Sequence, residues 1–298
     1  MIRELKKNIY AVGVQDWDRR LFDELIPLPH GTSYNSYLIK GSQKTALVDS
    51  VDPAKYDELL ANLAEHDVKQ LDYIICNHAE QDHSGSIPLV LERYPEAKVV
   101  TNPKCKEFLM THLHLPADKF IEVKDGETLS LGGKTLEFVY LPWVHWPETM
   151  GTYLREEKVL FSCDFFGSHL ATSALFSEEH MVYEPMKRYY AEIMMPFRSN
   201  IKSHLEKLAK YDIKFIAPSH GPVHANPKFI MDIYRDWAVS EPHNKAVVAY
   251  ISMHGSTYML VNRLVSRLQE AGVCVEKLNL DQMDEGRVAM SLVDAATI

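Results

Sequence analysis

Four side chains able to bind a metal ion fall within six residues in the segment Asn77-His78-Ala79-Glu80-Gln81-Asp82-His83-Ser84-Gly85. Neutral imidazoles and carboxylates together form a donor set for a borderline divalent cation. The segment directly follows the apolar run Leu71–Cys76, which reads as a buried strand, so it forms a loop at a strand's carboxyl end, where α/β folds usually keep their chemistry. On extended backbone side chains alternate, which would send His78, Glu80 and Asp82 to one side, with His83 at the start of a helix. A polar surface loop could have the same composition by chance, but three further positions argue otherwise. His145 sits in the apolar stretch Leu141-Pro142-Trp143-Val144-His145-Trp146-Pro147, where an unpaired imidazole is costly to bury. Asp164 is the first charge after the strand Val159–Cys163, and His220 ends the run from Ile213 just before Gly221-Pro222. Each alone would suit a satisfied structural residue. Together they place imidazole or carboxylate groups at four successive strand ends.

The elements that must position these residues follow from hydrophobic periodicity. Short β-rich runs, Ile9–Val14, Tyr34–Ile39 and Ala46–Val48, come first. A helical pattern from Ala54 to Glu65 leads into Leu71–Cys76, followed by helix Ile87–Arg93, strand Lys98–Thr101 and helix Pro103–His112. Thr128 to Leu141, with Gly132-Gly133 inside, reads as a hairpin, and Tyr153 to Ser162, turning at Glu156-Glu157, as a second. A long amphipathic segment from Met186 to Lys210 precedes the strand Ile213–Ala217 and a helix over Pro227–Ala238. Strands flanked by helices with hairpins between them predict two packed sheets covered outside by helices, an α+β fold. The pattern breaks at Ser240-Glu241-Pro242-His243-Asn244, and the expected division is residues 1–243 and 244–298. The second part reads as strand Lys245–Ser252, helix Thr257–Ala271 and strand Val273–Leu280, one βαβ unit.

Composition narrows the class. Hydrophobic residues at 46% and charged residues at 24% predict a packed core. A net charge of −9 argues against sequence-blind nucleic-acid binding, which needs a basic footprint. The N-terminal residues lack the apolar core of a signal peptide, and no stretch reads as a spanning helix. Cys76, Cys105, Cys163 and Cys274 are scattered without a Cys-x-x-Cys pair, which suits free thiols in a cytoplasmic protein. His66, His112, His114, His180 and His243 are expected to be solvated. His169, soon after Asp164, could stand behind the ligands or line the pocket, although a role away from the site is the first expectation; the pair Tyr189-Tyr190 could place one phenol near the site, with core packing the expected use of a helical tyrosine.

On these motifs residues 5 to 240 resemble the metallo-β-lactamase superfamily, an αββα sandwich, in the variant carried by flavodiiron proteins. The superfamily's hydrolases carry His-x-His-x-Asp-His. Here the run is His78-Ala79-Glu80-Gln81-Asp82-His83, with glutamate in place of the second histidine. That exchange adds negative charge and a hard oxygen donor, favouring a pair of iron ions over a nitrogen-rich dizinc arrangement. The resemblance implies that His78, Glu80 and His145 hold one iron, that Asp82, His83 and His220 surround the other, and that Asp164 bridges them. His83 is the ligand that swings away in some members. Tyr34-Asn35-Ser36-Tyr37 and Ala217-Pro218-Ser219-His220-Gly221 also look like the family's. Many members place a histidine in the early loop above the metals, where this chain has Asp23 or its neighbours.

The loop Ser252-Met253-His254-Gly255-Ser256-Thr257, between a strand and a helix, has the makings of a phosphate cradle. An ordinary capped βα turn would look the same. In its position it resembles the FMN-phosphate loop of the flavodoxin-like domain that follows the metal domain in flavodiiron proteins. With Ile298 reached after two strands, the expectation is a flavodoxin-like unit lacking its third, fourth and fifth strands and holding FMN weakly or not at all. The implied activity is reduction of dioxygen to water or of nitric oxide to nitrous oxide, in a head-to-tail homodimer with rubredoxin or a rubredoxin-like reductase as electron donor. A dizinc hydrolase and a non-catalytic di-iron sensor are the alternatives.

Overall fold

A computed structural model describes residues 3–298. Two sheets face each other. The first has seven strands in the order Glu4–Lys6, Ile9–Ala11, Tyr37–Lys40, Thr45–Val48, Tyr73–Ile75, Lys98–Thr101 and Phe120–Glu122. The second has five: Thr128–Ser130, Thr135–Tyr140, Met150–Leu154, Val159–Cys163 and Phe215–Pro218. Alternation along the strands divides the core. Tyr37 and Ile39, Ala46 and Val48, and Ile75 point inward, meeting Phe138, Met150, Leu154, Val159 and Phe161 of the second sheet. Their neighbours Leu38, Leu47 and Ile74 point outward beneath Leu59, Leu63, Val90 and Leu109 of three helices. The outer face of the second sheet packs Val139, Leu160 and Ile216 against Val182, Met186, Leu205 and Tyr234. Both faces of both sheets are thus covered, which explains why the central strands read as continuous apolar runs. The result is the expected four-layer αββα arrangement.

Several local expectations are corrected. Ile9–Val14 is two strands, Ile9–Ala11 and Val14–Asp16, because the N–H groups of both Val12 and Gly13 donate to the Ser36 carbonyl and bend the chain. The second piece leaves the main sheet to pair with Thr32–Tyr34. The amphipathic stretch from Met186 is not one helix. The chain is helical from Glu179 to Tyr189, widens to a π-turn over Tyr190–Met194, tightens over Met195–Phe197 and resumes as a helix at Arg198–Leu208. Pro196 lacks an N–H and cannot continue the hydrogen-bond ladder, so the register breaks there. His66 is buried, its ring 4.2 Å from that of Tyr10, rather than solvated.

After the break near residue 240 the chain builds a separate parallel sheet, in the order Cys274–Asn279, His243–Tyr250, Ala295–Thr297. A third strand is therefore present, contrary to expectation. Helix Glu285–Leu292 precedes it and docks on the two-sheet unit through Met290, with Arg188 Nη1 donating to Asp284 at 2.5 Å. Three residues of strand follow that helix too closely to show a period of their own.

Candidate metal centre

The strand Tyr73–Ile75 ends before the motif, and Gln81–Ser84 is already a short helix with Glu80 at its N-cap. Asp82 and His83 thus leave the extended alternation: helical geometry turns them away from His78 and Glu80 into a second group. The seven candidate side chains meet at one seam between the sheets. His78, Glu80, His145 and Asp164 offer ligand atoms within 4.8 Å of one another, and so do Asp82, His83 and His220. Asp164 stands between the groups. Its Oδ2 lies 3.4 Å from His78 Nε2 and 3.5 Å from His145 Nε2, while its Oδ1 lies 3.0 Å from His83 Nε2 and 3.4 Å from His220 Nε2. Glu80 Oε2 is 3.1 Å from His78 Nε2 and 3.0 Å from His145 Nε2. Asp82 is 3.4 Å from His83 Nε2 and 3.1 Å from His220 Nε2.

These spacings suit cations. Ligand atoms about 2.0–2.2 Å from a metal sit about 3.0–3.6 Å apart along octahedral or tetrahedral edges. The imidazole tautomers agree where partners define them. His78 Nδ1 donates to Glu148 Oε1 at 2.7 Å and His220 Nδ1 donates to the Ser33 carbonyl at 2.6 Å, leaving each Nε2 with a lone pair aimed at carboxylate lone pairs. Such an arrangement is repulsive unless positive charge lies among the acceptors. Both oxygens of Asp82, both of Asp164 and both ring nitrogens of His83 are buried without a hydrogen-bond partner among the described residues. Burial disfavours charged imidazoles, yet facing carboxylates raise His83 to about 10, chiefly through Asp164 and Asp82, and His145 to about 9 through Asp164 and Glu80. The residues fit a pair of metal ions.

The supporting groups explain why the loops hold still. Asn35 Nδ2 donates to the carbonyls of Pro218 and Gly221, Tyr37 Oη to Pro218, and the Gly221 N–H to Ser33 Oγ, clamping the turn that carries His220. Asp49, buried, accepts from Asn77 N and Nδ2 at 2.8 and 2.9 Å. Asn77 in turn accepts from Thr152 Oγ1 and the Met150 N–H, tying the motif loop to the opposite sheet. Asp49, Trp143, Cys163 and Phe166 all have positive φ, a conformation that costs non-glycine residues about 1–3 kcal/mol each and tends to gather at functional sites.

Glu148, Asp49 and Ser33 were not foreseen. Glu148 had a usable signal: a carboxylate three residues beyond His145 in an apolar loop must find a partner. His169 and Tyr189 belong to the surroundings of the site, the less expected of the two readings for each. His169 is buried with Nδ1 2.9 Å from Thr32 Oγ1, its ring 4.9 Å from both His220 and Tyr189. Tyr190 does pack in the core, its hydroxyl donating to the Trp237 carbonyl. A cavity of ≈450 Å³ opens beside Glu80, lined also by Asp23, Ala79, Gln81, His112 and Trp146. Burial and the charges of Glu80 and Asp82 raise the Asp23 carboxyl above its ordinary range.

The phosphate-loop residues Ser252 to Thr257 are brought together at the start of helix Ser256–Glu270. Gly255 takes φ 83° there, and Ser252 Oγ accepts from the N–H groups of Gly255 and Tyr258. The loop lies beyond the carboxyl end of the central strand, which pairs with the third strand only near its own start, at His243 and Ala246. Among the described residues no helix is long and apolar enough to cross a membrane.

Residues 32–221 match the family model of the ODP family beta lactamases. The chain is 37% identical over 299 residues to the nitric oxide reductase of Moorella thermoacetica, covering 98% of this chain and 75% of that protein. It superposes on rubredoxin oxygen:oxidoreductase of the anaerobe Desulfovibrio gigas with a TM-score of 0.94 at 32% identity, covering 99% of this chain and 76% of that one. It superposes on the flavodiiron protein of Giardia intestinalis with a TM-score of 0.92 at 30% identity, covering 98% and 72%. The fold and seam thus define a metallo-β-lactamase-like protein with a candidate metal centre. Within that class the chain belongs to the flavodiiron proteins.

Proposed function

We infer that this chain is a di-iron oxidoreductase that reduces dioxygen to water, nitric oxide to nitrous oxide, or both. The observation that carries the reading is a single buried carboxylate, Asp164, with one oxygen toward each of two groups that each add two imidazoles and one carboxylate. His78, Glu80 and His145 would hold one iron, Asp82, His83 and His220 the other, with Asp164 shared between them. Two ferrous ions bound there would supply electrons side by side to a diatomic substrate. The chain's own residues do the rest. The partly buried Trp146 at the cavity wall and the buried Phe22 against His169 and His220 limit water. Asp23, exposed at the rim with a raised pKa, is placed to pass protons inward. Glu80 at the position of a hydrolase histidine, and relatives that are reductases, weigh against a dizinc hydrolase.

Where FMN binds it would supply the electrons, and we assign its phosphate to Ser252, Met253, His254, Gly255, Ser256 and Thr257. The loop's place at the N-terminus of helix Ser256–Glu270 supports this. A rubredoxin-type protein as donor is supported by the name of the Desulfovibrio relative. We further read residues 1–243 and 244–298 as separate domains, and the protein as a cytoplasmic homodimer. The test is metal analysis after anaerobic loading with a mixture of ferrous iron and zinc, followed by oxygen and nitric oxide consumption with an artificial reductant. Iron near two per chain with consumption of either gas is expected. Zinc retention with ester or lactam hydrolysis and no gas consumption would overturn the reading.

A further inference from the structure

The two metal groups have the same inner donors: two imidazoles, one terminal carboxylate and one oxygen of Asp164 each. What differs is the layer behind them. His78 Nδ1 donates at 2.7 Å to Glu148, a carboxylate 3% exposed that also accepts the Ala79 N–H at 3.0 Å and has no partner on Oε2 among the described residues. Its backbone is pinned, since the Glu148 carbonyl accepts from Asn102 Nδ2 at 2.6 Å. On the other side His220 donates to a neutral backbone carbonyl, that of Ser33, and His83 Nδ1 has no partner among the described residues. Asp49 is the other buried acid behind the site, but its oxygens are taken up by Asn77 and receive no ring N–H.

An imidazole that donates to a carboxylate is a stronger electron donor than one donating to an amide carbonyl. A full negative charge in a dry site also stabilises the more positive oxidation state of the ion it faces. Resting on the di-iron reading, we propose that Glu148 is a positioning residue that makes the pair electronically unequal. It holds the His78 ring and lowers the reduction potential of the ion bound by His78, Glu80 and His145. In the half-reduced protein the ferric charge then sits on the His78 side, and the first electron enters the His220 side. Stepwise filling suits a site fed one electron at a time.

Glu148→Gln tests this because it keeps an acceptor oxygen for the His78 N–H while removing the charge. The iron-loaded 298-residue chain is titrated with dithionite, following the mixed-valent signal by electron paramagnetic resonance and the two sites by Mössbauer spectroscopy. The lower of the two potentials should rise while the upper changes little. The constant favouring the mixed-valent state should fall about tenfold, equivalent to ~59 mV for one electron. Glu148→Asp, which keeps the charge, should retain most of the gap. In zinc-loaded protein, nitrogen NMR should show the His78 Nδ1 proton strongly deshielded in the parent and less so in Glu148→Gln, a readout free of redox chemistry. Two irons bound with an unchanged gap, equal shifts of both potentials, or Glu148→Asp behaving like Glu148→Gln would each overturn the proposal. If Glu148→Gln binds fewer than two irons, the gap in Glu148→Asp and the zinc NMR decide it. Absence of an iron pair in the parent chain would instead defeat the functional reading on which it rests.

Discussion

Removing the Asp164 carboxylate should damage the metal centre more than removing the His83 imidazole. Asp164 is 1% exposed and faces two imidazoles of one group at 3.4 and 3.5 Å and two of the other at 3.0 and 3.4 Å, through different oxygens. Asp164→Ala therefore deletes a donor from both ions. Perturbing a group merely hydrogen-bonded to a ligand costs about 10–100-fold in metal affinity, roughly 1.4–2.7 kcal/mol, so losing a direct donor costs at least that at each ion. Over the pair the loss multiplies to about 10²–10⁴. His83→Ala deletes one donor from one group, and the penalty should stay near 10–100-fold at that ion alone. After anaerobic iron loading and challenge with a chelator of graded strength, the parent should keep about two irons, His83→Ala about one, and Asp164→Ala less than one, by metal analysis scaled to protein. Near-ultraviolet circular dichroism of each apoprotein separates ligand loss from misfolding, and Asp164→Asn repeats the test with the side-chain volume preserved. Equal losses in the two variants, or a greater loss in His83→Ala, would refute the bridging assignment.

Glu80→His, which restores the nitrogen-rich motif of the hydrolases, should raise zinc over iron occupancy in mixed-metal loading and abolish gas reduction. Retained iron with unchanged turnover counts against it. Gly13→Ala should destabilise the fold by about 1–3 kcal/mol or more in urea unfolding, since a Cβ there would lie 2.3 Å from the Tyr34 carbonyl and 2.5 Å from Ser36 N, both backbone atoms. An unchanged midpoint would show that this strand pair can part freely. Burial, opposed by Arg188 and reinforced by Asp284, pushes the Glu192 carboxyl from 4.5 up to about 7. The folded chain thus binds more protons there than the unfolded one, and this contribution to stability is lost as pH rises from about 4.5 through about 7. Glu192→Gln should raise the thermal midpoint at pH 8 more than at pH 5, and an equal change at both would sink the assignment.

The layers and most elements were legible because both faces of each sheet are buried, so strands stand out as short apolar runs and helices as amphipathic ones. The candidate ligands stood out as a group because imidazoles and carboxylates at the ends of apolar strands have few other uses, and the fold brings them together. What failed has physical reasons. Alternation assumed that the motif stays extended, whereas Glu80 caps a helical turn that swings Asp82 and His83 to the second group. Glu148 and Ser33 act through hydrogen bonds to groups far along the chain, and a partner in space leaves no spacing in sequence. His66, His169 and Tyr189 lie in stretches whose polarity suggested solvent or core, but tertiary packing decides which atoms of an amphipathic ring are covered. The strand Ala295–Thr297 has three residues, too few to carry a period.

The position of the site also explains how the fold supports it. His78, Glu80, Asp82 and His83 hang from the first sheet, while His145, Asp164 and His220 hang from the second. Neither sheet can assemble either group alone, so the ligand atoms meet only when the two sheets are packed in register. The interlock is built from polar atoms crossing the same seam: Thr152 to Asn77, His78 to Glu148, and Asn35 to the carbonyls of Pro218 and Gly221. Each satisfies a buried group that would otherwise cost about 1–3 kcal/mol, so the seam resists sliding even though the adjoining core is nondirectional. Metal ions bound there would cross-link the sheets at their most polar edge, with bonding free energy available only to the folded chain. The carboxylates crowded at the seam would weaken the fold if left without compensating positive charge, and become its strongest tie when cations sit among them.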